Sequence, residues 1–285
     1  MASVLSARGS VLRKGCKHQV GEWFYIPDPD ETVMTFQVGM VGTNGILLAS
    51  DKLAVQFGIP GQSYRDPFQT DKIVAVGHQE IAYCCAGDRL STIVGKAITE
   101  DGAVREKAGR VPLDRLMSDL QMDFGRAVEV IACEAVSQSK LDFADKEPWD
   151  RPKGGSLLLA YCRPEPMELW KLDVQAQGMP HANRIRNKCR IGDSTTPASF
   201  FSECYYHNVP IEDLILLAAH TVFTAGAMNP DGVDGLDILL CRPSTSMHPR
   251  FEMLLPDKIR ELKEQSCRLH SQIDDSLFPR GQQIA

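Results

Sequence analysis

The chain has 285 residues, 43% of them hydrophobic and 24% charged, ordinary proportions for a globular chain with enough apolar material for a core. Thirty-one basic against 37 acidic residues give a net charge of −6, which argues against nucleic acid as the main partner because phosphate binding needs a basic surface. No run approaches the roughly 20 apolar residues that a membrane span needs, and Met1-Ala2-Ser3-Val4-Leu5-Ser6-Ala7-Arg8 lacks a secretory apolar stretch, so the expectation is a cytoplasmic chain with no membrane partner.

Residues 1–34 differ in character from the rest of the chain: Arg8, Arg13, Lys14 and Lys17 make the start basic, and Pro27-Asp28-Pro29-Asp30-Glu31 is rich in breakers. They read as a leader, propeptide or upstream extension, with 35–285 as the folded domain. From Thr35 to Lys52, two short apolar runs flank Asn44-Gly45, a dipeptide suited to positive φ, which predicts a tight β-hairpin. With Asn44 and Gly45 as the central turn residues, Val38 faces Asp51, and Thr35 lies about three residues, on the order of 10 Å, further along the ribbon. A lysine could bridge that gap, and Lys72 opens the next apolar run, Ile73 to Val76. With Ile81 to Cys85 this makes a four-stranded meander.

The spacing then turns helical. Leu90, Ile93, Val94, Ala97 and Ile98 recur at three and four, as do Leu113, Leu116, Leu120, Phe124 and Val128 after Pro112, so two helices are predicted between Ser91 and Val136. Strands come next over Ser156 to Cys162, Met167 to Asp173 and Arg186 to Ile191. Thr196 to Ala227 is again helical, broken at Val209-Pro210. Leu236 to Cys241 and Arg250 to Leu255 close the strand set, and Pro256 to Ile273 is a polar helix. Periodicity alone gives α+β; the order of meander, helix pair, strands, helix pair, strands suits a four-layer αββα sandwich, in which each apolar sheet face is buried against another layer.

Nine cysteines without a C-x-x-C pair point to a reduced compartment and to packing roles. Cys204-x-x-His207 lacks a second half at zinc-ligand spacing, so no metal is expected.

Thr35, Asp51 sixteen residues later at the end of a G-x-x-hA-x-D strand, and Lys72 opening the third strand together resemble the proteasome β-subunit signature among N-terminal nucleophile (Ntn) hydrolases. The lysine comes later than in typical β subunits, with an enlarged loop through Phe57 to Ser63 taking up the difference. Ala82-Tyr83-Cys84-Cys85-Ala86-Gly87-Asp88 resembles the strand end that supplies the oxyanion-hole amide, which points to Gly87. Ile191-Gly192-Asp193-Ser194 and Pro230 to Ile238 fall where the family has its supporting Ser and Asp-x-x-Ser-Gly elements, nominating Asp193, Ser194, Asp231 and Asp234. An Asp stands where a Ser is usual in the first, and Asp234 replaces the last Ser of the second. The resemblance covers Thr35 to Leu240 and implies the αββα fold; a divergent bacterial-type homologue fits it better than an ordinary core subunit.

These residue types suit the chemistry. A threonine hydroxyl attacks a carbonyl only with a base beside it, and at a chain terminus the free α-amine, with a pKa near 8, can be that base. The resemblance gives Lys72 the role of a positive charge beside that amine, Asp51 that of holding the lysine, and Gly87 N–H that of meeting the oxyanion. Asp193 or Ser194, Asp231 and Asp234 would orient the amine; in the plainer reading, these Asp residues and Gly87 are turn chemistry. The activity implied is a threonine peptidase or amidase acting on polypeptides through an acyl-enzyme, without cofactor; a transpeptidase or a non-catalytic α-type scaffold subunit are the alternatives. Leu214 to Ala219 with Val222-Phe223 is apolar around so much of a helix that a second copy is expected to cover it, in a ring, a stack of rings or an open array, and an ATPase partner stays open.

Overall fold

A computed structural model describes residues 35–54, 68–77, 80–99, 124–147, 151–163, 166–192, 198–243 and 250–277. Its main unit runs Val33–Ser266. One five-stranded antiparallel sheet has the order β10 (Lys188–Gly192), β1 (Phe36–Gly42), β2 (Gly45–Ser50), β11 (Asp237–Cys241), β12 (Phe251–Met253). A second has the order β5 (Ile73–Val76), β6 (Ile81–Gly87), β7 (Gly154–Tyr161), β8 (Glu168–Gln175), β9 (His181–Ile185). Leu53–Ala54 (β3) and Phe68–Gln69 (β4) form a small ladder of their own.

Strand alternation sorts the side chains into three cores, and three cores make four layers. Between the sheets lie Ile46, Leu48 and Leu239 from the first and Ala82, Cys84, Leu158 and Ala160 from the second. On the outer face of the first sheet, Phe36, Val38 and Met40 of β1 pack against α4 (Ile211–Met228) through Leu214, Ala218 and Val222, with Leu262 of α5 (Pro256–Leu277) in the same cluster. On the outer face of the second, Tyr83, Leu157 and Leu159 meet α1 (Arg89–Thr99) and α2 (Phe124–Asp142), where Phe124 stacks on Tyr161 at 4.2 Å. The αββα expectation therefore holds, layer by layer.

The structure differs from the sequence reading in four places. The hairpin turns on Thr43-Asn44, not Asn44-Gly45: Gly42 pairs with Gly45, Val38 with Ala49 and Gln37 with Ser50. Asn44 is held from outside the hairpin, accepting from Ile211 N–H at 2.9 Å and donating to Glu212 at 2.9 Å, while a Cβ on Gly45 would meet Cys241 O at 2.4 Å. Tertiary bonds thus outweigh the preference of Asn-Gly for a primed turn. Asp51 consequently faces Phe36 rather than Val38, and Thr35 is its near neighbour.

The expected meander is also divided, β1 and β2 in one sheet and β5 and β6 in the other. Arg186 to Ile191 corresponds to β10, while β9 was unread because His181 to Ile185 alternates weakly between exposed and half-buried positions. Finally, α4 finds cover within its own chain. His220 bonds Ser266 of α5 at 2.8 Å and meets the ring of Phe201 of α3 (Ser199–Tyr205) at 4.4 Å, and Ile215, Leu216 and Phe223 are partly buried in the same cluster. Its apolar circumference therefore does not itself require a second copy. The helical pattern over Leu113 to Leu120 lies outside the described residues.

Candidate active site

The hairpin delivers Asp51 to the point where β1 begins. Phe36 donates its N–H to Asp51 Oδ1 at 2.9 Å and Leu53 its N–H to Oδ2 at 3.1 Å, while Asp51 N–H returns a bond to Phe36 O at 3.1 Å. Asp51 is fully buried. A carboxylate so placed needs a counter-charge, and Lys72 supplies it: Nζ lies 2.7 Å from Asp51 Oδ2 and donates to Thr35 Oγ1 at 3.0 Å. The Lys72 side chain is itself 9% exposed.

Burial pushes the Asp51 carboxyl up, to about 6, against the pull of Lys72 and of the two main-chain donors. Burial likewise draws the Lys72 ammonium down, with Asp51 pushing back. Both groups are thus pressed towards neutrality by desolvation and held charged by each other. One proton-rich group rests on the Thr35 hydroxyl and polarises it.

The second sheet brings Gly87 to the same end. Cys162 N–H donates to Glu80 O at 2.8 Å and Asp88 N–H to Gly154 O at 3.1 Å, so even-numbered residues of β6 turn their main-chain groups to β7. Odd-numbered ones, Cys85 and Gly87 included, turn theirs towards β5, the side from which Lys72 enters. The Gly87 N–H therefore turns to the side from which Lys72 enters. Its φ of +112° and the Gly155 Cα, which a Cβ would meet at 2.5 Å, leave no room for a side chain.

The remaining nominated residues fare differently. Asp231 and Asp234 are exposed, and among the described residues neither carboxylate bonds Thr35; Asp234 takes part through its main chain, its O accepting Lys52 N–H at 2.8 Å. Asp193 and Ser194 lie outside the described residues. Lys52, the other lysine near Asp51 in sequence, is committed elsewhere, to Asp71 at 2.8 Å and Asp237 at 3.1 Å. Cys84 is buried in the inter-sheet core, and Cys204 is exposed. Among the described residues no group of three metal-ligating side chains forms. A recess of about 1060 Å³ opens one strand further on, beside Gly154, Gly155, Ser156 and Gln175, and does not include Thr35.

Two contributors escaped the sequence reading. Gly192 pairs with Phe36, with φ +94°, and a Cβ there would meet Thr35 O at 1.9 Å, so only glycine lets β10 lie against the first residue of the site. Gln37 is fully buried and donates Nε2 to Cys85 O at 2.8 Å, across the two sheets. The available signal was a polar residue in the inward row of an otherwise apolar strand.

No family model and no curated protein sequence matches the chain. Its structure is similar to that of Anbu, described as an ancestral β-subunit, from Yersinia bercovieri, with a TM-score of 0.61, 14% identity and coverage of 88% of this chain and 100% of that one. It is also similar to Anbu from Hyphomicrobium sp. strain MC1, with a TM-score of 0.62, 12% identity and coverage of 88% and 99%. A mutant of that Anbu gives 0.60 at 12% identity. At such identities the likeness shows the fold alone: two five-stranded antiparallel sheets flanked by helices.

Proposed function

We propose that this chain is a threonine peptidase or amidase that cleaves polypeptides through an ester on Thr35. The observation that carries the reading is the buried lysine whose Nζ touches both Thr35 Oγ1, at 3.0 Å, and Asp51, at 2.7 Å. A protonated lysine in that position stabilises a developing alkoxide but cannot accept its proton, so the base is the α-amine that a chain beginning at Thr35 would carry. In acylation the Oγ–C bond forms, the proton passes from Oγ to that amine, the oxyanion is met by Gly87 N–H, and the C–N bond breaks as the amine returns the proton to the leaving group. Water then adds to the ester by the same route in reverse and releases Thr35.

Asp51 keeps Lys72 charged; its own two main-chain donors keep it ionised and aimed. The fold shared with the Anbu structures supports the reading, as does the strand start at Thr35 lying against a buried lysine. The experiment is intact-mass analysis of the purified protein before and after reaction with a peptide epoxyketone, which needs both the hydroxyl and the free amine of a terminal threonine. A mature mass beginning at Thr35 and a single adduct lost in Thr35→Ala are expected. An active preparation that retains residues upstream of Thr35 sinks the proposal.

A further inference from the structure

The two halves of the candidate site sit on different sheets: Thr35 at the start of β1, Gly87 at the end of β6. Acyl transfer requires them a fixed distance apart, because the amide must meet the oxygen of the carbonyl that the hydroxyl attacks. Two residues into β1 from Thr35 stands Gln37; two residues back along β6 from Gly87 stands Cys85. Gln37 Nε2 donates to Cys85 O at 2.8 Å. The hydroxyl and the amide are thus each about 7 Å along a strand from one cross-sheet bond.

Gln37 is an expensive residue if its task is only to fill space. It is fully buried, and among the described residues its Oε1 has no hydrogen-bond partner. A methionine of the same shape would spare the Oε1 desolvation, but would lose the bond and leave the Cys85 carbonyl without it. Among the described residues, its neighbours in the row, Ser50 and Ile191, make no side-chain bond to the second sheet in its place.

We propose that Gln37 is a positioning residue that sets the spacing between the Thr35 hydroxyl and the Gly87 amide by tying Cys85 to β1. This rests on the reading of Thr35 as nucleophile and Gly87 as oxyanion donor. Gln37 touches no reacting atom; it acts through the strand end that carries the amide.

The test is Gln37→Met in the protein as purified from full-length expression, read with two electrophiles. Turnover of a fluorogenic peptide amide builds an oxyanion, whereas a peptide vinyl sulfone adds Thr35 Oγ to carbon and places its charge away from the Gly87 N–H. Amide kcat should fall roughly 10- to 100-fold, the scale of a small misplacement, with KM and vinyl sulfone labelling within about threefold of wild type and a melting temperature close to wild type, relief at Oε1 offsetting the bond lost at Cys85 O. Unchanged amide turnover overturns the inference. So does an equal slowing of both electrophiles, which marks general damage.

Gln37→Glu gives a second arm should the methionine variant fold poorly. Its protonated carboxyl can donate to Cys85 as the amide does, so its turnover relative to wild type should rise as pH is lowered from 8 towards about 5.5, burial having raised its pKa. A flat ratio counts against positioning. A wild-type protein that neither turns over the amide nor takes the vinyl sulfone removes the threonine-hydrolase reading itself, and this inference with it.

Discussion

Replacing Lys72 by methionine should make the stability of the fold strongly dependent on pH, and the size of the effect follows from how Asp51 is held. In the wild type Asp51 titrates near 6 instead of its ordinary 3.8, so the folded state binds its proton more tightly than the unfolded state does. Stability contributed by this group is present below pH 4 and is lost as the pH rises to 6, by about 1.4 kcal/mol per unit or roughly 3 kcal/mol in all. Lys72 is the principal force keeping that pKa from rising further; without it, burial is opposed only by the Phe36 and Leu53 amides. The variant's carboxyl therefore stays protonated above pH 6, and the variant loses about 1.4 kcal/mol relative to wild type for each unit between pH 6 and its new pKa. Near pH 8 the total should reach the roughly 3 kcal/mol expected when one partner of a buried pair is removed. Urea unfolding of wild type, Lys72→Met and the double variant Asp51→Asn/Lys72→Met at pH 5, 6, 7 and 8 measures this. The difference should be about 1 kcal/mol or less at pH 5 and grow with pH, and in the double variant it should be flat above pH 6. A difference independent of pH would refute the view of Asp51 and Lys72 as one buried charge pair.

Gly192→Ala must place a Cβ 1.9 Å from Thr35 O at a φ of +94°, so we expect a loss of at least about 2 to 3 kcal/mol and no turnover, measured by thermal melting and peptide amide cleavage. In the wild type, kcat/KM should fall below about pH 6 as Asp51 takes its proton and releases Lys72; full activity at pH 5 would contradict this. Light scattering at micromolar protein should give a mass well above 31.5 kDa, because Phe200 and Tyr205 of α3 remain 55% and 56% exposed and offer an aromatic contact to a second copy. A monodisperse monomer would leave those rings without a purpose in assembly.

The layer architecture was legible because its causes are local. Helical spacing at Leu90 to Ile98 and the short apolar runs of β1 and β7 act over a few residues, and their order leaves few ways to bury every apolar face. Thr35, Asp51 and Lys72 could be nominated together because their spacing resembles the proteasome β-subunit signature, although the hairpin register read beside it set Asp51 opposite Val38 instead of Phe36. Pairing partners were not legible. Whether β2 pairs next with β5 or with β11 is decided by contacts nearly two hundred residues away, and the hairpin's turn is decided by Ile211 and Glu212. Gln37 and Gly192 matter through such distant partners, Cys85 and Thr35; the only local signal was the polar Gln37 in the inward row of an apolar strand, and it does not say what it bonds.

The order β10-β1-β2-β11-β12 also has a meaning in time. The hairpin that carries Thr35 and Asp51 is made early in synthesis, yet both of its neighbours in the sheet, β10 and β11, are made some 140 to 200 residues later. Pairings of such long range form slowly, and none can form before the ribosome has released the later strands. The second sheet, by contrast, is contiguous from β5 to β9 and can settle first. The first sheet can close around Thr35 only near the end of translation, so a nascent chain holds Thr35 and Lys72 without the frame that brings them together. On the proposed function, the strand order itself would keep the chain latent during synthesis.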